Sequence, residues 1–215
     1  MPSLPETLGD LRRAEYRVLP IKAELRRNLI RKLSAGDELF PGIRGYDDTV
    51  IPQLQNAILA GQDVVMLGER GQAKSRLIRA LISLLDDAVP AVAGCEINDN
   101  PYQPICRRCR DLIDAEADAT RISWLTPEQR YSEKLATPDT SIADLIGEVD
   151  PIRVAEGRYL SDELTIHYGL IPRTHRGIFA INELPDLAER IQVGLLNIIE
   201  ERDVQIRGYR LRLPL

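Results

Sequence analysis

The sequence predicts an α/β domain in which helices cover a parallel sheet, and three observations carry that prediction. The run Asp63-Val64-Val65-Met66-Leu67 is short, apolar and bounded by polar residues, the pattern of a strand buried on both faces. It leads through a Gly-containing loop into a helix starting at Ser75, where Leu77, Ile78, Leu81, Ile82 and Leu85 recur at helical spacing. The apolar residues are also aliphatic: 44% of the 215 residues are hydrophobic, yet the aromatics are one Trp, two Phe and seven Tyr. Such a core is built from Leu, Ile, Val and Ala.

The elements follow in order. Residues 1–38 read as an N-terminal helical segment and residues 39–215 as the core. Helices are expected around Pro5–Tyr16 and from Pro20 to Leu33, the second with Ile21, Leu25, Leu29, Ile30 and Leu33 on one face and Gly36 as its stop. The first 35 residues hold eight Lys/Arg against four Asp/Glu, a charge that reads as a solvated helix face or as a partner or nucleic-acid contact. A turn-rich loop, Pro41 to Asp47, precedes a helix capped by Asp48 or Thr49 and carrying Val50, Leu54, Ile58 and Leu59 up to Gly61. Further buried strands are expected at Pro90–Cys95 and Gly177–Ile181, the latter followed by a helix over Asp186–Glu200. Ile152–Leu160 and Val204–Leu213 alternate around Gly157 and Gly208 and read as β-hairpins.

Composition excludes several classes. A net charge of −5 argues against a body that coats duplex DNA. No apolar run approaches the roughly 18 residues of a membrane span. The start, Met1-Pro2-Ser3-Leu4-Pro5-Glu6, lacks the basic and apolar regions of a signal peptide, and three cysteines suit a reducing compartment. A cytoplasmic, soluble protein is expected. The last residues, Leu211 to Leu215, alternate and read either as a natural C-terminus or as a cut inside a larger domain.

Chemistry concentrates in Gly68-Glu69-Arg70-Gly71-Gln72-Ala73-Lys74-Ser75, a phosphate-binding loop in which Ala73 replaces the second glycine of the pattern. Backbone N–H groups from Gly68 to Arg76 would converge on phosphates at a helix N-terminus. Lys74 would reach the β- and γ-phosphates, and Ser75 would ligate Mg²⁺. Ala73 keeps its N–H and adds only a methyl. The strand Gly177–Ile181 ends in Asn182-Glu183, where such sites carry an acidic pair. Glu183 has the place of a catalytic base, whereas an amide at 182 accepts a hydrogen bond from metal-bound water but neutralises no charge. The same pair also reads as the cap of the next helix.

This loop, the strand ending in Asn182-Glu183 and the following Leu184-Pro185-Asp186-Leu187 resemble the AAA+ ATPases of the magnesium-chelatase I-subunit and MoxR type. Gly169-Leu170-Ile171-Pro172 leading to Arg176-Gly177-Ile178 is similar to the stretch before the acidic strand in chelatase I-subunits. The resemblance implies a P-loop three-layer αβα sandwich with β-hairpin inserts, one of them within Ile142–Thr165. It places Ile43 to Asp47, with Ile43 and Gly45, against adenine. It also implies ATP and Mg²⁺ as cofactors, a hexamer-like homo-oligomeric ring, a partner with a von Willebrand A-type domain, and truncation before sensor 1 and the lid. The activity expected is ATP hydrolysis that remodels or loads a partner protein. Asn182 leaves open a nucleotide-responsive scaffold with little hydrolysis. The hairpins and basic helices leave open a nucleic-acid-stimulated motor, against which the acidic balance and sparse aromatics count.

Cys95, Cys106 and Cys109 lie within 15 positions, and Cys106-Arg107-Arg108-Cys109 has the gap of a zinc knuckle. Zinc wants four ligands, so Asp99, His167 or His175 would have to complete a site. Unligated thiols and a redox pair are the other readings. His167 and His175 otherwise read as loop or surface residues.

Overall fold

A capping box opens the first helix: the Thr7 hydroxyl accepts from the Asp10 N–H while the Asp10 carboxylate accepts from the Thr7 N–H, fixing α1 (Leu8–Arg13). The computed structural model describes residues 4–69, 71–155, 162–206 and 209–213. Helix α2 (Ile21–Ala35) ends where Gly36 adopts φ 74°, a left-handed conformation that glycine takes without strain. Its buried face differs from the expected one. Ile21 and Leu29 are buried, but Ile30 and Leu33 are exposed, and Glu24 and Asn28 take their place inside. The reason is pairing across the fold. Glu24 receives both Nη atoms of buried Arg130 at 2.7 Å, and Asn28 donates to the Leu84 carbonyl at 2.9 Å.

Helix α3 (Val50–Leu59) and α4 (Lys74–Ala80) form as expected, α4 running on as a 3₁₀ turn over Leu81–Leu84. Leu29, Phe40, Ile43, Leu54, Ile58 and Leu77 make one core with Leu84. Thus α2 packs into the same core as the phosphate loop's helix.

The segment Asp63–Leu67 is not a strand. It forms no ladder with any described strand, and Val65 and Leu67 are 73% and 91% exposed. A strand buried on both faces needs a neighbour on each side, and no described strand lies beside this one. Its first residue is tied down by Lys22 and Arg202, which both pair with Asp63.

Strand β1 (Val89–Val92) stops short of Cys95 because Gly94 turns the chain with φ 67°. It pairs antiparallel with β2 (Ile122–Leu125), which follows α5 (Arg107–Glu116). Strand β3 (Tyr131–Leu135) leads to α6 (Ile142–Ile146) and β4 (Gly147–Val149). The hairpin expected over Ile152–Leu160 begins instead as a helix, α7 (Pro151–Ala155). Asp150 accepts from the Ile152 N–H at 2.9 Å, and Pro151 sits in the first turn, where its missing N–H costs nothing. Residues 156–160 of that expected hairpin lie outside the described residues. Strand β5 (Ile166–Tyr168) pairs antiparallel with β4, and α8 (Leu170–Arg173) follows.

Strand β6 (Ile178–Asn182) runs parallel to β3, with Tyr131 opposite Ile178 and Leu135 opposite Asn182. A Cβ at Gly177 would stand 2.0 Å from the Arg130 carbonyl oxygen, so the approach that starts this pairing requires glycine. Helix α9 (Glu189–Glu201) puts Ile191, Leu195 and Ile198 into the core shared with Phe179 and Ile181 of β6, and β7 (Asp203–Ile206) and β8 (Tyr209–Arg212) form the expected second hairpin, its Gly208 lying outside the described residues. Among the described residues, β3–β6 is the parallel pair and the other three pairs are antiparallel. No helix among them is long and apolar enough to cross a membrane.

His175, expected at the surface, is 1% exposed, because its Nδ1 bonds the Ile97 carbonyl at 3.1 Å between the two strands' loops. Burial, with Arg176 next to it, pushes its pKa from 6.5 to about 4. A histidine held neutral in the folded state adds stability above pH 6.5. That stability is lost as the pH falls toward 4, by roughly 1.4 kcal/mol per pH unit, because the unfolded chain takes up the proton first. Denaturant melts at pH 7.5 and 5.0 should separate accordingly, and His175→Gln should flatten that dependence.

Candidate active site

The loop before α4 is shaped by two residues in the left-handed region, Gly71 with φ 84° and Ala73 with φ 57°. For a residue with a Cβ this conformation costs roughly 1–2 kcal/mol. Ala73 accepts it while serving as the N-cap of α4, with no side chain capping the first-turn N–H groups. Those N–H groups and the half-buried Ser75 hydroxyl are the donors a phosphate needs. The Lys74 ammonium lies back across the loop, donating to the carbonyls of Gly68 at 2.7 Å and Glu69 at 2.6 Å. Both bonds are solvent-exposed and replaceable, so an anion's oxygens can take over the ammonium.

A cleft of about 200 Å³ adjoins the loop, lined by Tyr46, Leu54, Val64, Met66, Lys74 and Leu77 among others. Tyr46 closes it by donating its hydroxyl to the Gln72 carbonyl at 3.1 Å, and Arg76 reaches back to the Pro41 carbonyl at 3.3 Å. Of the residues before α3, Tyr46 lines the cleft, whereas the Ile43 side chain is buried in the adjoining core and Gly45 forms an exposed turn. Arg70 lies outside the described residues. A larger cavity, about 510 Å³, opens between Tyr16, Glu24, Arg31 and Asp86, away from this loop, and holds none of the expected site residues.

At the end of β6, Glu183 is exposed and adopts φ 56°, so a second site position carries left-handed backbone on a non-glycine residue. Asn182 donates its amide to the Glu133 carboxylate on the neighbouring strand β3. Glu133 also receives a two-pronged contact from Arg79 of α4, at 2.7 and 2.9 Å, and the Tyr131 hydroxyl at 3.0 Å. Arg79 holds the Glu133 carboxyl below the usual glutamate range, and burial beside it pushes Tyr131 up to about 12. Arg79 stands one helical turn from Ser75 on the same face of α4, so the Glu133–Asn182 pair lies on the Ser75 side of that helix. A carboxylate therefore sits beside position 182 although the residue there is an amide. Sequence reading missed Glu133, which is 49 residues away. The alternation of Tyr131, Glu133 and Leu135 in a strand is the signal that could have found it.

Cys95, Cys106 and Cys109 are free thiols, and their sulfurs and an Asp99 oxygen all lie within 4.8 Å of one another. His167 is exposed on β5 and His175 is engaged with Ile97.

No protein-family model matches the chain. It is 30% identical over 157 residues to the magnesium-chelatase 38 kDa subunit of Acidiphilium rubrum, covering 70% of this chain and 42% of that protein. It is 27% identical over 188 residues to the same subunit of Rhodobacter capsulatus, covering 81% and 47%. The chain thus spans less than half the length of these curated relatives. A structure of the complex between subunits BchI and BchD of magnesium chelatase superposes with a TM-score of 0.51 at 22% identity, over 92% of this chain and 53% of that one. That likeness gives the α/β P-loop fold, and with the two relatives it shows that the chain resembles the magnesium-chelatase I-subunit family of AAA+ proteins.

Proposed function

We propose that this chain binds ATP with Mg²⁺ and is the nucleotide-binding part of a cytoplasmic ATPase. That ATPase would work in a hexamer-like ring to remodel or load a partner protein, a von Willebrand A-domain protein by analogy with the chelatase complex. The observation that carries the reading is the uncapped start of α4 beside a cleft, with the Lys74 ammonium lying back across the loop on the exposed carbonyls of Gly68 and Glu69. Lys74 and the backbone from Gly68 to Arg76 would hold the phosphates, Ser75 would hold the metal, and Tyr46 would border the base. Mg²⁺ would neutralise phosphate charge, and Glu183 would orient and deprotonate the attacking water.

The scaffold reading turns on Asn182. Its amide bond to Glu133 supports a different view, in which Glu133 supplies the negative charge that position 182 lacks and Asn182 fixes its orientation. Asn182→Asp would then bring two carboxylates into contact. Without metal the variant should be less stable by about 1–2 kcal/mol at pH 7, and Mg²⁺ should restore the difference. Thermal melts with and without Mg²⁺ check this. A scaffold whose only defect is the missing acid would instead gain hydrolysis from Asn182→Asp with no loss of stability.

A further inference from the structure

Three cysteines and one aspartate from the turn after β1 and the start of α5 meet inside the second core, away from the phosphate loop. Cys95 and Asp99 flank the turn after β1, while Cys106 caps α5 and Cys109 lies in its first turn. Cys106, Cys109 and Asp99 are buried and Cys95 is half-buried, beside Val92 and Ile97. We propose that Cys95, Asp99, Cys106 and Cys109 bind a structural zinc ion.

Four arguments carry the assignment. The ligand atoms converge: all lie within 4.8 Å of one another, and a tetrahedral site with Zn–S near 2.3 Å brings sulfurs to about 3.8 Å, a contraction that side-chain rotation supplies. The sulfurs are already arranged as acceptors. Cys106 Sγ receives the Cys109 N–H at 3.3 Å at the start of the ten-residue helix α5, and Cys95 Sγ receives the Asp99 N–H at 3.4 Å in the turn after β1, so a backbone donor points at each of these two sulfurs. The carboxylate is oriented by its own donors, since its two oxygens accept from the N–H groups of Ile105 at 3.0 Å and Cys106 at 2.9 Å. Each oxygen keeps a lone pair for a metal. Finally, three thiolates select a soft ion, and four protein ligands in a closed pocket leave no open position, which is the pattern of a structural rather than a catalytic site.

The structure thereby chooses among the fourth ligands open in the sequence. Asp99 belongs to the convergent group, whereas His167 is exposed and His175, whose Nδ1 bonds Ile97, lies outside that group. The ion would pin the turn after β1 to the start of α5, which Arg107 and Arg110 in turn join to Asp162 and Glu163. Burying an oxygen and three sulfurs around one ion would offset a core that has few large aromatic side chains.

The test uses the full chain, purified under reducing conditions without added metal. Zinc is measured by mass spectrometry, thiols are counted with a colorimetric reagent before and after chelator, and Co²⁺ is exchanged into the protein. The expected result is one zinc per chain, and thiols that react only after chelation. The Co²⁺ spectrum should carry sulfur-to-metal charge transfer and tetrahedral bands. Chelator should also lower the melting temperature of the native chain but not of Cys109→Ser, and Asp99→Asn should weaken Zn²⁺ binding on the order of tenfold or more. Zinc-free protein with three reactive thiols and no tetrahedral Co²⁺ spectrum would overturn the site, as would a mass two hydrogens short that marks a disulfide. Unchanged Zn²⁺ affinity in Asp99→Asn would remove Asp99 from the ligand set.

Discussion

Lys74→Ala is expected to weaken MgATP binding by at least about a hundredfold, the worth of a charge-assisted contact to phosphate of about 3 kcal/mol. The ammonium has two ground-state partners, the carbonyls of Gly68 and Glu69, and both are exposed to water. Losing them should cost the fold little, since exposed carbonyls regain hydrogen bonds from solvent. Affinity and stability should therefore separate: calorimetric titration shows the loss while the melting curve stays close to that of the parent chain. The same comparison distinguishes Lys74 from Arg76, whose exposed side-chain contact is to the Pro41 carbonyl instead of the loop's own carbonyls.

Glu183→Gln is expected to leave nucleotide binding within about twofold and to reduce turnover in the assembled protein by roughly 10²–10⁴-fold, the contribution of a positioned base. Glutamine keeps the side-chain length and tolerates the same left-handed backbone as the glutamate it replaces, so geometry is preserved while proton acceptance is lost. Steady-state phosphate release and single-turnover assays with saturating MgATP measure it. Hydrolysis at the parental rate would move the base elsewhere, and Glu133 is the carboxylate to examine next.

Local patterns were legible in the sequence where the chemistry is local. The loop from Gly68 to Ser75, helices α2, α3 and α9, strand β6 and the hairpin β7–β8 all announce themselves through spacing within a dozen residues. What could not be read depends on distant partners. Asp63–Leu67 has the composition of a buried strand, yet burial is a property of neighbours, and no described strand supplies them. Glu24 and Arg130 are 106 residues apart and each looks like a surface charge until the two meet, which is why Ile30 and Leu33 were expected inside in place of Glu24 and Asn28. The misread hairpin at Ile152 is of another kind, since Asp150-Pro151 is a local helix-start signal that alternation around Gly157 obscured. The cysteine cluster was half legible: the spacing offered three thiols and left Asp99, His167 and His175 open beside them, and only the fold selected Asp99.

Nucleotide binding would rest on one site, the anion cradle at the start of α4. Titration of the unaltered chain with ATP, by calorimetry with and without Mg²⁺, tests it most directly. Saturable one-site binding that strengthens with Mg²⁺ and disappears in Lys74→Ala is the predicted result. Absence of binding at millimolar ATP, or binding that Lys74→Ala leaves untouched, would contradict it.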